Sequence, residues 1–555
     1  MYMFNNFKYQ NRIAVSITSA LLLLFAHASN AQLPAPDIIL SNGKIITVDA
    51  RFSIAQAVAV RGEQILGVGS NEEIAALAGP DTTVIDLKGR SVIPGLIDNH
   101  GHMMEEGPIW QLELRLDGIE TRAEALKMIQ AHAKTQGPGA WVFTLGGFST
   151  DQFTDNQADF TRDELDAVAP ENPVLLQVTR DNTYLNSLAI AATGLEQSNE
   201  PWIVRDEAGR PTGVIEADGI GDVADRRPPP PAEIFEASSM AMIADLNRAG
   251  LTTVGGPCPA DYIDRFRAWG DEGRLNLRFF CFTRAELSNT TDQVDELVEQ
   301  IATLKPFQWG NWVDQTAYGE TVYRPLHDSM LASTTNPPAD ALHQWRRIAT
   351  AVARAGLPLH VHATVENTIT AFLDQIEQVN REYPVRNLRW ALAHVDQINT
   401  SHLERMKQLG MYLAVHNRPT VMGGIYKRAH GERTLDMPPL RLIQQSGIIW
   451  GLGSDAFEVN QYRPFTTLWW AVTGKMVGGT TVLRQTISRE DALIAHTRQN
   501  AFLVFQENNL GSIQPGKFAD LVVLDRDYLT IPADEIKDIQ PVLTMVGGRI
   551  AYRNF

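Results

Sequence analysis

Cysteine is nearly absent: the 555-residue chain contains only Cys258 and Cys281. That excludes a disulfide-built scaffold and a thiolate metal site, both of which need several cysteines at short spacing. Two buried free thiols are expected, with a single disulfide as the alternative. Basic runs are missing as well. The formal charge is −17, with no Lys/Arg-rich stretch, which argues against a nucleic-acid or anionic-membrane partner, since either needs a basic face. No apolar run beyond the N-terminus resembles a membrane span. "GGFSTDQ" lacks the G-x-S-x-G spacing of a nucleophile elbow. No glycine-rich turn with a following acidic partner suggests a dinucleotide site.

What is present is ordinary in bulk, with 44% hydrophobic and 20% charged residues, as in soluble globular proteins. At the N-terminus, Lys8 and Arg12 precede the apolar "IAVSITSALLLLFAHA", and "SNAQ" follows with small residues at Ser29 and Ala31. This is the pattern of an export signal, and cleavage after Ala31 is expected. An exported protein, periplasmic or secreted, with no membrane span in the mature chain is the consequence.

Amphipathic segments repeatedly end at glycine and hand over to an apolar run: "MIADLNRAG" to "LTTVGG", "IATAVARAG" to "LPLHVHA", "HLERMKQLG" to "MYLAVHN", "RLIQQSG" to "IIWGLGSD". Glycine supplies the left-handed helix cap, and the run that follows suits a strand buried on both faces. Repeated this often, the pattern predicts an α/β protein with parallel βα units closed into a (β/α)₈ barrel. An open doubly wound sheet is the alternative. Short strands with Gly-rich turns bracket both chain ends, beginning with "DIILSNGKIITVDA", where Asn42-Gly43 predicts a hairpin. The barrel, 93–505, is therefore expected to sit inside a small β-sandwich built from 32–92 and 506–555. The stretch of about 105–237, which contains "RRPPPPAE", reads as an insertion after the first barrel strand that helps cover the active site.

Several predicted strands end in metal-ligand residues. His100 and His102 close the first, His360 and His362 lie in "LHVHA", His394 closes "RWALAH" and Asp455 closes "WGLGSD". Alternation puts i and i+2 on one strand face, so His100 and His102 can share an ion. Catalytic groups of a barrel gather at the C-terminal strand ends. Imidazole and carboxylate ligands in a cysteine-poor chain suit a divalent ion, with zinc expected.

With those residues in view, "VIPGLIDNHGH" resembles the first-strand signature of the amidohydrolase superfamily, metal-dependent hydrolases on a (β/α)₈ barrel with a two-ended β-sandwich. The likeness runs from about Asp37 to Phe555. "DELDAVAPENPVLL", "GRPTGVIEADG", "ISREDALIAHT" and "GSDAFE" are similar to the branch that includes the N-substituted formamide deformylases. The resemblance implies His100, His102, His362 and His394 as ligands, with Asp455 as ligand and proton-transfer group. His360 is then a supporting residue, although from the sequence alone its claim equals that of His362.

The departures bear on the site. Many members carry a bridging carboxylated lysine on the fourth strand. The one lysine between Arg284 and His360 is Lys305, at a helix end before Pro306. "WVDQTAYGETVY" offers Glu320 as the bridge instead, and Asp314 more weakly; without a bridge the site holds one ion rather than two. Glu366 stands where the branch has an aspartate, and is expected to orient a ligand or water. His416 and Arg418, in "VHNRP", are expected to face the substrate, Arg418 through a carboxylate. In "VTRDNTYLNS" the branch's histidine is replaced near Thr183 and Tyr184, so a formamide substrate does not carry over. Trp469 and Trp470 hint at an aromatic pocket or at helix packing.

The implied chemistry is metal-assisted hydrolysis of a C–N bond in a small-molecule amide, cyclic amide or N-acyl compound. A mononuclear deaminase or an esterase/lactonase on the same scaffold is the runner-up, and a non-catalytic exported binding protein a third reading. A homo-oligomer is left open.

Overall fold

Glycine ends the helices that feed the barrel. Helices Phe235–Arg248, Ala339–Arg354, Thr400–Leu409 and Leu440–Ser446 lead into strands Leu251–Pro257, Leu359–Ala363, Tyr412–His416 and Trp450–Gly453 in the computed structural model, which describes residues 35–283 and 290–555. Gly410 and Gly447 close two of these helices at φ 70° and 72°, a left-handed cap that a Cβ would disfavour. The expected export signal and its cleavage site after Ala31 lie outside the described residues.

Those four strands, with Leu96–Asp98, Arg278–Thr283, Val313–Glu320 and Ala391–His394, form one eight-stranded sheet in chain order, every pair parallel. The first and last strands meet just beyond their ends. Asp455 N donates to His100 O at 2.8 Å and His102 N donates to Ala456 O at 2.6 Å. The sheet is thus the expected (β/α)₈ barrel, and nearly every strand residue is buried, which is why these strands read as continuous apolar runs.

A six-stranded sheet combines both chain ends, with Leu521–Leu524 antiparallel to Ser91–Pro94. It shares a core with a four-stranded sheet; Leu40, Val58 and Ile85 of one layer meet Ile45, Val92, Val523 and Met545 of the other. The Asn42-Gly43 hairpin is corrected here. Asn42 does turn, at φ 55°, but Ile38–Ser41 pairs within the four-stranded sheet and Lys44–Ile46 within the six-stranded one. The turn is a corner between layers, because Leu40 and Ile45 bury into the same interlayer core. A buried ion pair joins this unit to the barrel: Arg278, on the third barrel strand, donates from Nε to Asp520 Oδ2 at 3.0 Å and from a terminal nitrogen to Oδ1 at 3.0 Å.

The free-thiol expectation is also corrected. Cys258 and Cys281 form a disulfide with Cα atoms 5.4 Å apart. Gly256 of the second barrel strand is in register with Cys281 of the third, so Cys258, two residues on, reaches across the neighbouring strand. Between the first and second barrel strands lies a separate layer, a five-stranded sheet running from Val142–Leu145 to Pro211–Glu216, with its own apolar clusters. Its Arg180 and Ala217 line the cleft over the C-terminal barrel ends.

Candidate metal centre

Six side chains gather at that barrel end: Glu320, His362 and His394 from the strands themselves, and His100, His102 and Asp455 from the turns just beyond the first and last strands. Glu320 ends the fourth strand and sits between two groups of histidines. Its Oε2 lies 2.9 Å from His100 Nε2 and 3.7 Å from His102 Nε2. Its Oε1 lies 3.2 Å from His362 Nδ1 and 3.5 Å from His394 Nε2. Asp455 Oδ1 completes the first group, 3.7 Å from His100 Nε2 and 3.5 Å from His102 Nε2. All but His102 are buried.

Each imidazole turns one nitrogen on this centre and has the other tied behind it. His102 Nδ1 is 2.9 Å from Glu105 Oε2, His100 Nδ1 is 2.9 Å from His360 Nε2, and His362 Nε2 is 2.9 Å from Asp328 Oδ1. For His394 the tautomer can be traced outward. Asn500 donates its amide hydrogens to the carbonyls of Ile97 and Leu452, so its Oδ1 accepts from Asn99 Nδ2 at 2.8 Å. Asn99 Oδ1 then accepts from His416 Nε2 at 3.1 Å, and a neutral His416 has only a lone pair on Nδ1. That lone pair accepts from His394 Nδ1 at 2.6 Å, leaving the lone pair of His394 Nε2 facing Glu320.

The donor set fits a cation. The buried atoms His100 Nε2, His394 Nε2 and Glu320 Oε2 have no hydrogen-bond partner among the described residues. Buried polar atoms without partners are unfavourable, and a cation between these three would satisfy them. Burial would raise the pKa of Glu320, but His100, His362 and His394 more than offset it and hold the carboxyl well below its ordinary range. Burial likewise opposes ionisation of Asp455, and Arg418 and the histidines overcome it. Burial keeps His394 and His360 neutral, helped by Arg418 for the first and by His100 for the second. Burial opposes a charge on His362 as well, yet Asp328 and Glu320 lift its pKa to about 9. Ionised carboxylates and neutral imidazoles are what a divalent ion binds, and on His362 the ion would take the place of the proton.

Other expected site residues are placed differently. His360 touches His100 and stacks on Phe282 with ring centroids 4.2 Å apart. His416 was expected to face the substrate; it is fully buried behind His394 instead, since its strand end points at the sixth-strand histidine. Arg418 does line the cleft, but its guanidinium is taken by Asp455 at 2.6 Å and Asp396 at 3.2 Å. Glu366 is not at the site. It opens the helix Glu366–Glu382 and points outward, where Asn399 and Arg433 contact it. Asp314 accepts backbone amides at the opposite end of the strand from Glu320, and Lys305 is exposed. Tyr184 bonds Asp159 within the inserted layer. Trp469 and Trp470 are buried in helix packing.

Three functional neighbours were missed. Asp328 lies in a loop with no spacing that marks it. Glu105 has only its position, three residues after His102. Asn99 stands beside His100 in "DNHGH", where adjacency was the available signal.

A closed parallel barrel with a His₄-carboxylate cluster at its C-terminal end defines a metal-dependent hydrolase. Residues 83–552 match the Amidohydrolase family, and the chain belongs to it. An N-substituted formamide deformylase from Arthrobacter pascens is 28% identical over 93% of this chain and 98% of its own. The Arabidopsis thaliana protein LONG AFTER FAR-RED 3 is 25% identical over 93% of this chain and 91% of its own. A metal-dependent hydrolase from Pyrococcus furiosus shares the fold at a TM-score of 0.62 and 22% identity, covering 89% of this chain and 100% of that one.

Proposed function

We propose that this protein is an exported hydrolase that cleaves a C–N bond in a small-molecule amide, cyclic amide or N-acyl compound, using one or two zinc ions held by His100, His102, Glu320, His362, His394 and Asp455. The observation that carries this reading is the division of Glu320, one oxygen toward each group of histidines, which suits a carboxylate shared by two ions. A bound divalent ion supplies Lewis acidity, bringing the pKa of water toward neutrality and polarising a carbonyl oxygen. Zinc is favoured by four imidazoles with two carboxylates and no thiolate. The formamide deformylase among the relatives supports the choice of bond.

Asp455 has one oxygen fixed by Arg418 and the other open to the centre. It takes the proton of the attacking water at Oδ1 and delivers it to the leaving nitrogen as the C–N bond breaks. The pairs behind the histidines hold the ligand atoms in place. Lys8, Arg12 and the apolar run after them, together with the Cys258–Cys281 disulfide, support export to an oxidising compartment.

The test is elemental analysis of the purified chain and of Glu320→Ala, beside turnover of a panel of amides, cyclic amides and formamides. Two ions falling to one or none in the variant, with a new carboxylate released by the wild type, is the expected result. One ion in both proteins would make the site mononuclear. Ammonia released without a new carboxylate would make the protein a deaminase, and no ion after metal add-back would overturn the reading.

A further inference from the structure

The cleft above the centre, about 480 Å³ in volume, carries an unbalanced charge. Its carboxylates are all engaged. Glu320 and Asp455 face the histidines and Arg418. Asp328 is held by His362, the Thr364 hydroxyl and the Val365 amide. Glu458 pairs with Arg180 at 2.6 Å and accepts from Gln177. Of the cleft's arginines, Arg418 is neutralised by Asp455 and Asp396, and Arg180 by Glu458. Arg324 lines the same wall and is exposed, yet has no ion pair or side-chain hydrogen bond among the described residues. It stands in the short turn Arg324–Leu326, four residues beyond Glu320.

We propose that Arg324 recognises a carboxylate on the substrate, so that the cleft takes small amides that carry an acid group, as N-acyl amino acids do. An unpaired guanidinium in a chain of net charge −17 is a local exception to the surrounding field, and its planar fork matches a carboxylate through two parallel hydrogen bonds. Thr321 and Ser329 add hydroxyls to the lining, and Met330, Leu331 and Val459 add apolar surface for the remainder of the substrate. The loop that bears Arg324 is anchored at its far end, because Asp328 is bonded to the fifth-strand histidine and to the helix start behind it. The backbone that bears Arg324 is therefore anchored at the cleft that also holds Glu320 and Asp455.

The assignment rests on the hydrolase reading for its chemistry, but binding tests it separately. N-formyl- and N-acetyl-leucine are compared with the corresponding leucinamides on the zinc-loaded chain, by calorimetry and by turnover, in wild type, Arg324→Met and Arg324→Lys. The wild type should bind the acids at least about tenfold more tightly than the carboxamides, in line with a charge-assisted pair. Arg324→Met should abolish that preference and Arg324→Lys restore part of it. During turnover the difference should lie in KM more than in kcat. Equal binding of acid and carboxamide by the wild type, or a preference that survives Arg324→Met, overturns the proposal. Arg324-dependent binding without turnover would keep the carboxylate site and defeat the hydrolase reading. Turnover of carboxamides without a preference for acids would do the reverse.

Discussion

His416 Nδ1 lies 2.6 Å from His394 Nδ1, and His416 Nε2 lies 3.1 Å from Asn99 Oδ1. The pair makes His416 a positioning residue. Replacing it with Phe removes the acceptor of the His394 Nδ1 proton, and replacing Asn99 with Leu removes the acceptor that fixes the His416 tautomer. Either change should weaken metal binding about 10- to 100-fold, as losses behind a ligand histidine do. Competition with a chelator measures it. An unchanged metal affinity with a raised KM would return His416 to the substrate side.

Asp328 performs the same service for His362 at 2.9 Å and also accepts the Val365 amide at 2.8 Å. Asp328→Asn keeps a hydrogen-bond acceptor and removes the charge. Metal affinity or activity should fall about 10- to 100-fold with a smaller loss of stability, because the helix start stays partly capped. Metal content and the thermal midpoint, taken on the same sample, separate the two effects.

The Cys258–Cys281 bridge closes a loop with a sequence separation of 23, for which chain entropy predicts about 3 kcal/mol of stabilisation. Reduction, or Cys258→Ser, should lower the denaturant midpoint accordingly and leave metal content as it was, since neither sulfur touches the centre. Equal midpoints with and without reductant would show that the bridge contributes nothing to stability.

Arg122 of the inserted layer is buried and donates twice to Glu164, at 2.8 Å each. That pair, with the Thr161 amide and hydroxyl, holds the Glu164 pKa at about 2, below its ordinary 4.5. A depressed carboxyl contributes stability that is fully present above its unfolded pKa and is lost as pH falls through the folded one. Glu164→Gln should therefore lower the thermal midpoint at pH 6. The gap from wild type should narrow as pH drops below the unfolded pKa and close near the folded one. A gap that does not change with pH would mean the glutamate acts only through packing.

Much of this was legible in one dimension. The glycine-capped helices and the apolar runs after them gave the parallel barrel, because a strand buried on both faces leaves no polar alternation to read. The histidines and Asp455 were visible because a strand end fixes where a side chain emerges. Glu320 was found by the lysine missing from its place.

Other residues needed contacts that sequence spacing does not encode. The Asn42 turn looks like a hairpin, and only the sharing of one core by Leu40 and Ile45 makes it a corner between sheets. Cys258 and Cys281 pair because parallel register brings Gly256 level with Cys281. Glu366 follows the fifth-strand histidine by four residues, but the helix it opens turns it to solvent. The sequence by itself determined the barrel, the histidines and Asp455 of the candidate centre and the end of the barrel where they gather, since local periodicity and chain order suffice for these. The tertiary structure alone decided that Glu320 divides its oxygens between two groups of histidines, that Asp328 and His416 stand behind His362 and His394, and that Arg324 has no side-chain partner among the described residues. Each of those depends on distances between strands and loops far apart in the chain, which the closing of the barrel sets.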